Sequence, residues 1–267
     1  MNILDNYYDI VVLDSGILKT HKSINNKLIN MYEIKLQKDG AYNICEGGID
    51  NVGHGTAVIS ILQNQINAPV KICSVKILCE NNTITSCEID RLLFALTYIK
   101  ENISCKIIHM SCGVKYYNQK LKDVCDEISN KGTIIVSAFN NDGSVSFPAA
   151  FSNVIGVDAS LRCIYSDDFV FVENSIVNVK AKGGNQRLAW VDPPYIISQG
   201  SSFAAPYVTA YIMNMINYGI KNEKINEEIK RNSKYIYTFS ENIQKKECPK
   251  FRRAAVFPYN KEMHNII

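Results

Sequence analysis

The stretch Tyr8-Asp9-Ile10-Val11-Val12-Leu13-Asp14-Ser15-Gly16 decides the fold class. A β-branched apolar run that stops at a carboxylate and a Ser-Gly turn reads as a strand with a polar residue at its end. The same unit recurs downstream. Val70 to Leu78 is a second apolar run, interrupted by Lys71 and Lys76, and Lys106 to Met110 is a third, followed by Ser111-Cys112-Gly113. Thr133 to Ser137 and Asn153 to Val157 supply two more. Between them, Ile89 to Lys100 places Ile89, Leu92, Leu93, Leu96 and Ile99 at helical spacing. Leu121 to Asn130 reads as a helix closed by Gly132, and Ser202 to Tyr218 as a mostly apolar helix with Pro206 in its first turn. Strand and helix in alternation imply an α/β chain, with a mostly parallel central sheet and helices on both faces. Polar groups in such sheets collect at the carboxyl ends of the strands. Asp14, Ser111 and Asn140 are the stops expected to converge there.

Bulk composition narrows the function classes. The 267 residues carry 46% hydrophobic and 21% charged side chains, ordinary for a globular chain with one substantial core. A net charge of +3 argues against nucleic acid or an anionic membrane as the main partner. No apolar run approaches the roughly 20 residues of a membrane span. The opening MNILDNYYDI lacks the features of a signal peptide. Nine scattered cysteines, none in a CxxC pair, read as reduced thiols packed in a cytosolic protein. Lys245, Lys246, Lys250, Arg252 and Arg253 make the tail basic, a solvated face or a docking surface for an acidic peptide. Ala254 to Phe257 is expected to pack on the body as a last strand.

Three short segments carry the chemistry: Val11 to Ile17 around Asp14, Gly53-His54-Gly55-Thr56-Ala57-Val58, and Gly200-Ser201-Ser202-Phe203-Ala204-Ala205-Pro206. A serine hydroxyl needs a base to become a nucleophile near neutral pH. Histidine titrates in the right range, and a buried carboxylate can fix its tautomer. Each segment alone is an ordinary turn or helix start. In this order, on alternating strands and helices, they resemble the Asp, His and Ser signatures of the subtilases, at intervals of 40 and 148 residues. Val75 to Leu78, Met110 to Gly113 and Phe147 to Ala149 also match family segments, so the resemblance spans about Tyr8 to Tyr218.

The resemblance implies a subtilisin-like fold in a single peptidase domain, 1–267, with a core at about 8–218 and a C-terminal helix and basic tail at 219–267. It implies a serine endopeptidase with Asp14, His54 and Ser202 as its triad. Asn140 would be the oxyanion donor, or its neighbour Asn141 if the register shifts by one. Peptide would add as a strand between Ser111, Cys112, Gly113 and Asn81, Asn82, Thr83, Ile84, with Ala138, Phe139, Asp142 and Ser146 near the specificity pocket. His21 and His109 are expected to be structural, and His264 lies in the tail.

Four departures from the family shape further expectations. Thirteen residues before Asp14 leave no room for a folding propeptide, and the segment between His54 and Val75 lacks an Asn-rich calcium loop. No cofactor and no tight calcium site are expected. Phe139 and Ile84 stand where glycines are usual, which suggests a narrowed cleft. The short loop Asn140 to Phe147 alters the pocket wall, and Asp142 there would favour a basic residue before the cut. The expected substrate is a peptide or unfolded protein. The leading role is a cytoplasmic leader-peptide-removing protease, with a general degradative protease or a silent peptide-binding pseudopeptidase as alternatives.

Overall fold

The computed structural model describes residues 7–78 and 88–238. In chain order the elements are β1 (Tyr7–Asp14), β2 (Ile29–Leu36), β3 (Tyr42–Glu46), α1 (His54–Gln65), β4 (Ile72–Lys76), α2 (Ile89–Asn102), β5 (Ser104–Met110), α3 (Gln119–Asn130), β6 (Ile134–Ala138) and β7 (Val154–Ser160). There follow β8 (Val170–Glu173), β9 (Val179–Lys182), β10 (Gln186–Ala189), β11 (Tyr195–Ser198), α4 (Ser201–Asn217), α5 (Ile225–Asn232) and β12 (Tyr235–Thr238). Ten strands form one sheet in the order β12-β8-β9-β7-β6-β5-β1-β4-β2-β3, and β10 and β11 form a separate hairpin. All neighbours in the large sheet are parallel except β2 with β3 and β8 with β9.

Helices cover both faces, as the alternation predicts. Ile10 and Val12 of β1 pack with α1 and α4 on one side, while Val11 and Leu13 pack with α2 and α3 on the other. A strand covered twice must be apolar at successive positions, which is why Ile10 to Leu13 is unbroken. Registers Leu13 to Met110, Asp14 to Lys76 and Met110 to Ser137 bring four strand ends level.

The pattern reading missed β2, β3 and β8 to β12. These are four to eight residues long and half buried, or in β12 fully exposed, so charged residues such as Glu33, Lys35 and Lys180 interrupt the apolar runs. One boundary also moves. Helix α4 starts at Ser201, so Pro206 lies in its second turn rather than its first. Proline has no N–H, so Ser202, four residues earlier, keeps an open carbonyl inside the helix. Among the described residues no helix is long and apolar enough to cross a membrane. Asn81 to Ile84, His264 and the basic tail lie outside the described residues.

Candidate active site

Asp14 ends β1 and is fully buried. The chain then turns sharply at Gly16, whose φ is +102° and where a Cβ would lie 2.2 Å from the Gly48 carbonyl oxygen. Only glycine fits there. Asp14 Oδ1 accepts from the Ser15 backbone N–H at 2.7 Å and from His54 Nδ1 at 2.8 Å. That second bond places the His54 proton on Nδ1 and leaves Nε2 with its lone pair, able to accept a proton.

Asp50, which the sequence reading did not single out, builds the other side. It is buried and accepts from Ser15 Oγ, Val52 N, Gly53 N, Thr56 N and Thr56 Oγ1 at 2.7–3.0 Å. Gly53 is the N-cap of α1 and has no side chain, so the Asp50 carboxylate takes over the capping. An acidic residue shortly before a helix start, with Thr56 inside its first turn, is the signal that could have found it.

The electrostatics favour an ion-ready pair. Burial works against charge on both partners. The His54 charge, its hydrogen bond and the Ser15 N–H nevertheless hold Asp14 below the usual carboxylate range. Asp14, and after it Asp50, hold His54 above its ordinary value.

Ser202 is the second residue of α4 and half-buried. Its hydroxyl donates to the Ser111 carbonyl at 3.1 Å, and the Ser111 hydroxyl donates back to the Ser202 carbonyl at 2.8 Å. The phenyl ring of the adjacent Phe203 stands 5.1 Å from the His54 imidazole. At the start of α4 the Ser201 N–H goes to Asn141 Oδ1, and those of Phe203 and Ala204 go to the Gly200 carbonyl.

The structure revises two of the expected neighbours. Asn140 turns away, its amide nitrogen donating to Ser144 Oγ at 2.9 Å. Asn141 instead meets the start of α4, accepting from the Ser201 backbone N–H and hydroxyl at 2.8 Å each. The oxyanion candidate therefore moves by one residue. Phe139 does not narrow the cleft. Its ring is buried with Ala149 and Val177 against Gly156, where a Cβ would come within 2.6 Å of it.

The remaining candidates fall along β5 and β6. Ser111 and Cys112 are buried at the end of β5, and Ala138 is buried at the end of β6. After Gly113 the chain closes an antiparallel bridge between Val114 and Phe147. Ser146 is fully buried beneath it and donates to the Ala138 carbonyl at 3.2 Å. Asp142 is exposed, bonded to Ser144 and 3.5 Å from Lys115 Nζ. It does not present an unpaired charge to a pocket. His21 links Pro194 O and Ser23 N, an ordinary structural pairing.

A profile of the subtilase family matches residues 8–247. The chain belongs to that family. This subtilase is 27% identical over 237 residues to a thermophilic serine proteinase of Bacillus sp. (strain AK1), covering 84% of the chain and 55% of that relative. It is 28% identical over 196 residues to the minor extracellular protease Epr of Bacillus subtilis (strain 168), covering 68% of the chain and 30% of that protein. Thermitase of Thermoactinomyces vulgaris is 24% identical over 210 residues, 74% of the chain and 71% of its own length. The chain thus spans about half or less of the first two relatives. A psychrophilic protease structure, S41, shares the fold at a TM-score of 0.61 and 18% identity, over 85% of this chain and 82% of its own. Among the described residues no three His, Cys, Asp or Glu side chains cluster to hold a metal.

Proposed function

We propose that this subtilase is a serine endopeptidase that cleaves through an acyl-enzyme on Ser202. The observation that carries the reading is the buried 2.8 Å contact between His54 and Asp14, with the imidazole 5.1 Å from the Phe203 ring in the first turn of α4. In the reaction the Ser202 hydroxyl turns from the Ser111 carbonyl to His54 Nε2 and gives up its proton. Oγ bonds to the substrate carbonyl carbon, and the oxyanion that forms takes the Asn141 amide and the Ser202 backbone N–H as donors. His54 returns its proton to the leaving amine as the C–N bond breaks. Water repeats the sequence and frees Ser202. Asp14 holds the imidazole and stabilises its charged form throughout.

The substrate is a peptide laid along Ser111 to Gly113 as an added strand. Ser146 and the Val114–Phe147 bridge sit directly behind that edge, where a Cβ on Gly113 would lie 2.7 Å from the Phe147 carbonyl oxygen. The role proposed for that edge is selective processing, such as leader-peptide removal, ahead of broad degradation. The described cysteines are free thiols, five of them buried, which suits the reducing cytoplasm. Burial pushes Cys105 and Cys125 up to about 12, so they are inert packing.

Labelling with a fluorophosphonate, wild type beside Ser202→Ala, tests the chemistry by peptide mapping. Modification of Ser202 in the wild type is expected; an unlabelled, well-folded wild type would overturn the reading. Mass spectrometry of precursor peptides beside casein tests the role. Free digestion of casein with no precursor cut would sink processing.

A further inference from the structure

His109 is fully buried in β5, one strand from Asp14, and the proposed chemistry does not use it. Its ring is bonded at both ends. Nδ1 lies 2.8 Å from Thr209 Oγ1, two turns along α4 from Ser202, and Nε2 lies 2.9 Å from Ser111 Oγ. Ser111 Oγ in turn donates to the Ser202 carbonyl at 2.8 Å. That carbonyl is available inside a helix because Pro206 has no N–H to offer it.

Counting protons fixes the direction of the chain. A carbonyl can only accept, so the Ser111 hydroxyl spends its hydrogen on Ser202 and must accept from His109. His109 Nε2 therefore carries a proton, Nδ1 is the acceptor of the neutral ring, and Thr209 donates to it. Burial, opposed in part by Asp14 and reinforced by His54, pushes His109 down to about 4, so the ring stays neutral where the enzyme works. Strand β5 is thereby tied to α4 at two points, the Ser202 carbonyl and the Thr209 hydroxyl.

We propose that His109 is a positioning residue for Ser202, acting through Ser111 on the carbonyl that Pro206 leaves open, and so setting where the nucleophile's hydroxyl rests. This inference rests on Ser202 being the nucleophile. A β5 histidine that merely filled the core would contribute to stability without being coupled to Ser111 in the rate.

The test is the rate of fluorophosphonate labelling in full-length wild type, His109→Leu, His109→Gln, Ser111→Ala and the His109→Leu/Ser111→Ala double variant, each with its melting temperature. Losing one such hydrogen bond is expected to slow labelling roughly tenfold in His109→Leu and in Ser111→Ala. Glutamine, whose amide can reach the Nε2 position, should restore most of the rate. The double variant should label no more slowly than Ser111→Ala alone. If His109→Leu does not fold, Thr209→Val replaces it, since it frees the tautomer while keeping the ring. Its slowing should likewise vanish in the Ser111→Ala background. Independent, multiplying losses, or a glutamine variant as slow as leucine, would overturn the proposal while leaving Ser202 as the nucleophile. A wild type that does not label overturns both.

Discussion

Asn141 Oδ1 receives both the backbone N–H and the hydroxyl of Ser201, each at 2.8 Å. With the oxygen so engaged, the amide nitrogen keeps its hydrogens for another acceptor, and it lies beside Gly200, where a Cβ would come within 2.9 Å of it. Asn140 spends its amide on Ser144. Replacing Asn141 with Ala is expected to lower kcat by roughly 10²–10³, the effect seen when the matching donor is removed from a subtilisin. Replacing Asn140 with Ala should change kcat by less than about threefold, the cost of a partly exposed hydrogen bond. Steady-state kinetics of the pair decides between them, and the reverse ranking would return the role to Asn140.

In the proposed role of base His54 works only when neutral, and its partners hold its pKa above the ordinary 6.5. Protonation below that raised value removes the base. The acid limb of kcat/KM is therefore expected above pH 6.5, with activity rising toward alkaline pH. Asp50 contributes to the shift, so Asp50→Asn should move the limb to lower pH. A limb below 6.5 in the wild type would contradict the geometry.

Asp50 also holds the corner that carries His54. Asp50→Ala strands donors from Ser15, Val52, Gly53 and Thr56 in a buried site. The expected loss is roughly 2–5 kcal/mol of stability, read from urea unfolding. A loss below about 1 kcal/mol would mean water replaces the carboxylate freely.

Gly53 has a φ of +108°, and a Cβ there would lie 2.5 Å from the Trp190 ring. Gly53→Ala should lower the melting temperature by several degrees, from a strain of roughly 1–3 kcal/mol, and cut kcat/KM at least about tenfold by displacing His54. Adding Trp190→Ala should recover only part, because the contact is relieved and the φ is not. Full recovery would show that the ring alone matters.

Calcium is the last test. With no tight site expected, a chelator should leave the melting temperature within about 1 °C, since removing a ligand destabilises only what it was bound to. A chelator-induced fall would reveal a site.

What the sequence determined on its own is what local chemistry repeats. Apolar runs stopped by Asp14, Ser111 and Asn140 sufficed for the parallel core, because a strand covered on both faces is apolar at most successive positions. The Asp14, His54 and Ser202 segments were legible for a similar reason, since turn glycines and a helix start leave marks in consecutive residues. The half-buried strands β2 and β3 left no such mark, since an element half in water tolerates Glu33 and Lys35. Tertiary structure alone decided which of two adjacent asparagines meets Ser201, that Phe139 turns into the core, and that Asp50 caps α1. It also joined His109 to Ser111 and Thr209, residues up to 100 positions apart. Such choices depend on where a side chain finds a partner across the sheet, and sequence spacing does not encode that distance.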